Sequence, residues 1–201
     1  MKALRENSLG KSDATNLGEE VARDFDHADP SIRDGASLLF CGMVRCGLDI
    51  VPHLPQVLRA IRPDRAGVRY YLAQALLEAA EQRQDVGEAV SHLEACLFDE
   101  DCDNILERMV GALAAVQTHR RAWDRLESYV THPLPNVRYW TCETLRPKDS
   151  RLDPSVAPHL LRLLVKATLD DVEFIRTAAA EFLAEWKRVA PDLTETPTGE
   201  Q

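Results

Sequence analysis

Asp99, Asp101 and Asp103 stand at alternate positions in Asp99-Glu100-Asp101-Cys102-Asp103, the spacing with which a calcium-binding loop begins. Such a loop also needs glycine at its sixth position and a bidentate glutamate at its twelfth. Asn104 and Val110 occupy those places, so the segment is expected to be a solvated inter-helix turn capped by Asp103, with no metal. Its neighbourhood carries more information. From Glu78 to Glu107 there are ten acidic residues (78, 81, 85, 88, 94, 99, 100, 101, 103 and 107) against the single Arg83. Glu94, Asp99, Glu100, Asp101 and Asp103 are the expected contacts of an acidic docking surface, which would attract a basic protein through complementary charge.

No other residue set makes a stronger case for chemistry. Cys41 and Cys46, and Cys96 and Cys102, lack the two-residue spacing of zinc ligands, and no histidine pair accompanies them. Cys41, Cys96 and Cys142 fall on or beside apolar stripes, where a thiol behaves as a small inert core residue. The six histidines are scattered, and no metalloprotease, nucleophile-elbow, Walker A or dinucleotide-binding motif occurs. The expectation is therefore a protein that is not an enzyme and holds no cofactor. Arg120, Arg121 and Arg125, followed by Arg138, Arg146, Lys148 and Arg151, share a stretch with Trp123, Tyr139 and Trp140. Basic residues among aromatics can hold a phosphate backbone and stack on bases. A net charge of −9 opposes that use, so nucleic acid is not the expected partner.

The positioning elements follow from hydrophobic periodicity. Apolar residues are 45% and charged residues 28% of 201, enough apolar content for a packed core. No apolar run reaches eighteen residues and the first eighteen lack a hydrophobic signal core, so neither a membrane nor a secreted location is expected. Five cysteines, an odd number in a chain too long to need disulfide staples, suit reduced thiols in a cytoplasm. Ile32, Ala36, Leu39, Phe40, Met43 and Val44 recur with helical spacing, as do Leu54, Val57, Leu58 and Ile61, and Val68, Leu72, Ala75, Leu76 and Ala79. Further helices run through 86–97, 105–116, 126–130, 137–145, 156–167 and 175–186, with a weaker first one through Leu17, Val21 and Phe25. Ten helices and no alternating strand pattern make the chain all-α. Asp29-Pro30-Ser31 and Asp153-Pro154-Ser155 each place a capping side chain before proline at a helix start. The helical domain is expected over 17–190, between a flexible N-terminus of residues 1–16 and a disordered tail of residues 191–201.

One phrase repeats within these helices. Ile32-Arg33, Val68-Arg69, Val137-Arg138 and Ile175-Arg176 each follow a turn containing Asp or Asn. Four residues after each arginine stands Ser37, Ala73, Cys142 or Ala180, and seven after it Phe40, Leu76, Leu145 or Leu183. The small side chain permits close helix approach and the large one fills the seam. Arg33, Arg69, Arg138 and Arg176 are expected to tie adjacent turns together through a turn carboxylate or a neighbouring repeat's carbonyls. A fifth copy fits at Ile105 and Leu113, with Leu106 in the arginine place. These residues resemble the HEAT-repeat family, whose helix pairs carry an Asp turn, Val-Arg and a small residue on the second helix. The resemblance implies an α-α superhelix, a HEAT-like solenoid of about five antiparallel helix pairs. It implies a protein-binding module of adaptor, inhibitor or immunity type. It also keeps a second class open, a HEAT-like enzyme such as an alkylpurine DNA glycosylase or a bilin lyase subunit. For the glycosylase, Trp123, Asp124, Trp140, Arg120 and Arg121 would have to line one groove.

Overall fold

A computed structural model describes residues 11–147 and 153–194, and among them every regular element is helical. In chain order the helices are α1 (Lys11–Arg23), α2 (Pro30–Arg45), α3 (Leu54–Ala60), α4 (Ala66–Glu81), α5 (Ala89–Cys96), α6 (Asp103–Arg120), α7 (Trp123–Val130), α8 (Pro135–Thr144), α9 (Ala157–Ala167), α10 (Glu173–Val189) and the short α11 (Pro191–Thr194). Single 3-10 turns lie at Asp24–Asp26 and Val51–His53. α1 begins ahead of residue 17 and α11 follows residue 190, so helix runs past both expected limits. Residues 1–10, 148–152 and 195–201 lie outside the described set.

The chain divides into two compact units, Met1–Val116 and Gln117–Gln201, with the boundary inside α6. In the first unit α2 packs on α4, and α3 packs on both α1 and α5. In the second, α7 packs on α9 and α8 on α10, while the two helices of each pair, α7 with α8 and α9 with α10, also pack together. First helices therefore meet first helices and second helices meet second. This follows because each pair leaves one apolar face uncovered until the next pair covers it.

Local sequence accounts for the helix ends. Asp29 caps α2 by accepting the Ser31 N–H at 2.8 Å, with Pro30 in the first turn. Asp153 accepts the Ser155 N–H at 2.7 Å ahead of α9. After α2, α4 and α6 the chain turns through a left-handed residue, namely Gly47 (φ 103°), Arg83 (φ 62°) and Arg121 (φ 54°). Each turn closes with an amide that reaches back five residues, from Leu48 to Met43, Gln84 to Ala79 and Ala122 to Gln117.

The core follows the expected stripes with two corrections. In α2 the buried line is Ser37, Phe40, Cys41 and Val44, while Ile32 and Leu39 are 41% and 55% exposed. The apolar stripe is wider than the arc that α1 and α4 cover, so its far edge faces outward. In α10 the repeat positions Ala180 and Leu183 are exposed and half-buried. Ile175, Ala179, Phe182 and Trp186 carry the burial instead. No further second helix follows α10 among the described residues to cover the Ala180 side. α6 differs in kind, because all residues from Met109 to Gln117 are buried. Gly111 lets it approach α4 closely, since a Cβ there would lie 3.3 Å from the Leu77 side chain.

Candidate functional site

The repeated arginines form a ladder that sets the geometry of the acidic turns. In each copy the guanidinium Nη1 donates to carbonyls of the arginine's own turn. Arg33 reaches His27 (2.7 Å) and Ala28 (3.0 Å), and Arg69 reaches Arg62 (3.1 Å) and Pro63. Arg138 reaches His132 (2.9 Å) and Pro133 (3.3 Å), and Arg176 reaches Asp170 (2.7 Å). The remaining edge of the fork takes a carboxylate from the next pair. Arg69 holds Glu100 at 2.8 and 3.1 Å, and Arg138 holds Asp170 at 2.7 and 2.9 Å. Both carboxylates also accept the amide two residues on, Cys102 at 3.0 Å and Val172 at 2.9 Å. Expectation had set turn carboxylate against neighbouring carbonyls. The arginine uses both, with the carbonyls coming from its own turn and the carboxylate from the neighbour.

Arg176 lies in the last copy among the described residues, and of the copies followed by another, two have an incomplete rung that sequence position explains. Glu100 and Asp170 each lie six residues before the next copy's arginine place. For Arg33 that place is Pro63, which has no carboxylate, and the Arg33 Nε is buried without a partner. Where the arginine is replaced by Leu106, the matching place is His132.

This ladder decides which acidic residues face outward. Glu100 does not belong to a docking surface, because its side chain is 2% exposed and bound to Arg69. Glu78 is paired with Arg45 at 2.7 Å, and Glu107 with Arg108 at 2.5 Å. The acidic stretch is thus not one continuous face. It leaves Glu81, Asp85 and Glu88 exposed ahead of α5, and a separate outward group in the turn between α5 and α6, where Phe98 is 63% exposed and Asp99, Asp101 and Asp103 are exposed. Glu94 is half-buried on α5. Glu100 and its two sets of hydrogen bonds pin the turn from beneath, which fixes the apolar tip and its flanking carboxylates. The same construction recurs in the second unit. Asp170 is held beneath, Leu169 is 82% exposed and Glu173 is exposed beside it, while Asp171, also exposed, differs in accepting from Arg138 at 2.8 Å. The six-residue spacing from Glu100 to Leu106 could have identified Glu100 as structural, had it been compared with Asp170 and Arg176.

Among the described residues no three His, Cys, Asp or Glu side chains converge as metal ligands. The crevice lined by Leu76, Val86, Leu93, Leu113 and Val116 is too narrow to admit water. Trp123 stacks on His159 of α9 at 4.3 Å, whereas Trp140 meets Tyr139, whose ring touches Phe174 of α10. One indole therefore packs among first helices and the other among second helices. Asp124, Arg120 and Arg121 are exposed, and Arg121 donates to Ser155 at 3.1 Å. Neither any protein-family model nor any curated protein compared with this chain matches it.

All five cysteines are free thiols of unequal access. Burial pushes the Cys41 thiol up, and pushes Cys142 up to about 12. Cys46 is exposed at the end of α2. Titration of the native protein with an aromatic disulfide reagent should modify Cys46 first. Cys41 and Cys142 should react only after denaturant is added. Rapid native modification of Cys142 would contradict the packing of α8 against α10.

Proposed function

We propose that this chain is a non-catalytic protein-binding module, a HEAT-like array acting as an adaptor, inhibitor or immunity-type binder of a basic protein. The observation that carries this reading is the pinned turn at 98–103. Arg69 takes up Glu100, and the remaining carboxylates stand outward around an exposed phenylalanine. An aromatic anchor ringed by carboxylates fits a partner that offers an apolar pocket bordered by Lys or Arg. The charges would speed encounter and set specificity, and the ring would supply the desolvated contact. The matching tip at Leu169 supports the same use in the second unit. No helix among the described residues is long and apolar enough to cross a membrane.

The test is affinity capture from the protein's own cell extract at low and moderate salt. The baits are wild type, a charge reversal of Glu94, Asp99, Asp101 and Asp103 to lysine, and Phe98→Ala. Wild type should retain a basic protein in a salt-sensitive manner, and the charge reversal should weaken it at least about tenfold. Phe98→Ala should weaken binding without altering the salt dependence. Equal capture by all three baits, with equal salt dependence, would reject the proposal.

A further inference from the structure

His53 ends the 3-10 turn Val51–His53 and is fully buried, and neither ring nitrogen has a hydrogen-bond partner. The Phe40 ring of α2 meets the imidazole edge-on at 5.5 Å. α1 lies directly on top. A Cβ at Gly18 would sit 2.6 Å from the imidazole Nε2 and 3.0 Å from Cε1, with Leu48 3.3 Å from the same point. Only glycine lets the helix backbone settle this closely on the ring.

A neutral imidazole tolerates such a place at some cost. An imidazolium has two N–H donors and a charge to satisfy, and this cavity supplies no acceptor for either. The charged groups whose fields reach the ring are Glu19 of α1, beside Gly18, and Asp49, ahead of the turn. Both favour the proton, while α2 contributes the apolar Phe40. Burial outweighs the two carboxylates and holds the ring below its ordinary 6.5. α1 is also lightly held. Among residues 13–23 only Gly18, Val21 and Ala22 are buried, and Leu17 is 44% exposed. A helix of this length with so small a buried face depends on docking to persist.

We propose that α1 is a proton-gated latch: taking up a proton at His53 releases α1 from α2 and the Val51–His53 turn while the remainder of the first unit stays folded. The sign follows from linkage. The released state binds the proton more tightly than the docked state. Docking is therefore at full strength above about pH 6.5 and weakens as pH falls from there towards the depressed value. As long as the docked ring stays neutral, the docking constant falls about tenfold per pH unit, or roughly 30-fold between pH 7.5 and 5.0.

Hydrogen exchange on the full chain, corrected for the intrinsic pH dependence of the chemistry, reads this directly. Protection of amides from Leu17 to Arg23 should drop, by up to about 30-fold over that range, while amides of α4 from Leu72 to Ala80 keep theirs. His53→Phe, a slightly larger apolar ring that takes no proton, should remove the pH dependence of α1. Constant protection of α1 in the wild type, or an unchanged pH dependence in H53F, would overturn the proposal. If H53F fails to fold, the magnetic-resonance titration of the wild-type His53 ring decides. A midpoint clearly below 6.5 that tracks the loss of α1 protection supports the latch, and a midpoint at or above 6.5 refutes it.

Discussion

Replacing Arg138 with methionine is expected to destabilise the second unit by about 3–5 kcal/mol, because it strands the Asp170 carboxylate without its counter-ion. The pair is well shielded, with side-chain exposures of 10% for Arg138 and 7% for Asp170. Arg138 also satisfies the His132 and Pro133 carbonyls, which would lose that donor. The measurement is urea unfolding followed by tryptophan fluorescence, since Trp123, Trp140 and Trp186 all lie beyond residue 116. The double variant R138M/D170L should recover most of the loss, because no buried charge is left unpaired, although the His132 and Pro133 carbonyls and the Val172 amide still lose these partners. Equal instability of the single and double variants would show that the carbonyl contacts, not the ion pair, hold the rung.

The pH dependence of that loss gives a second readout. Burial by itself would raise the Asp170 carboxyl, but the Arg138 fork, the Val172 amide and Asp171 hold it below the ordinary carboxylate range. A depressed carboxylate contributes stability above its unfolded value of about 3.9, and the contribution is lost as pH falls from there towards the native value. Without Arg138 burial dominates and the sign reverses, so the variant gains stability as Asp170 takes up its proton. The difference between wild type and R138M should therefore shrink steadily from pH 6 to pH 3.

Trp186→Ala should cost about 3–5 kcal/mol by the same fluorescence assay. The indole is fully buried on α10, and its Nε1–H donates to the Leu145 carbonyl at the end of α8, 2.9 Å away. Truncation opens a cavity between two second helices and leaves that carbonyl without its donor. Trp186→Phe separates the two losses. It keeps most of the apolar volume and forfeits the hydrogen bond, and should cost about 1–3 kcal/mol. A phenylalanine variant as unstable as the alanine one would mean that the carbonyl, not the packing, dominates the site.

The two effects have different origins in the chain. Trp186 falls on a stripe with Ile175, Ala179 and Phe182, and such a stripe is a local property of helical periodicity. Arg138 was visible as a repeated residue, yet its acceptor was not, because Asp170 lies 32 residues away and reaches it only when α8 and α10 pack. The same holds for Glu100 and Arg69, 31 residues apart. Read along the chain, Glu100 is one carboxylate among five in a docking stretch. In the folded unit it is the anchor beneath that stretch, and the outward set shrinks to its neighbours around Phe98.

Sequence alone determined the all-α class, the placing of the ten main helices, the cap at Asp29 and the register of the repeated arginines. These depend on a 3.6-residue period and on bonds spanning a few residues, so short segments suffice to specify them. Asp153, expected as a second cap, instead closes the turn ahead of α9, which starts at Ala157 without a side-chain cap. Only the tertiary structure decided which carboxylates are consumed by arginines, which edge of the α2 stripe faces outward, and that His53 lies sealed beneath Gly18. Each of these depends on which surfaces distant helices bring against one another, and burial and charge pairing are set by that packing.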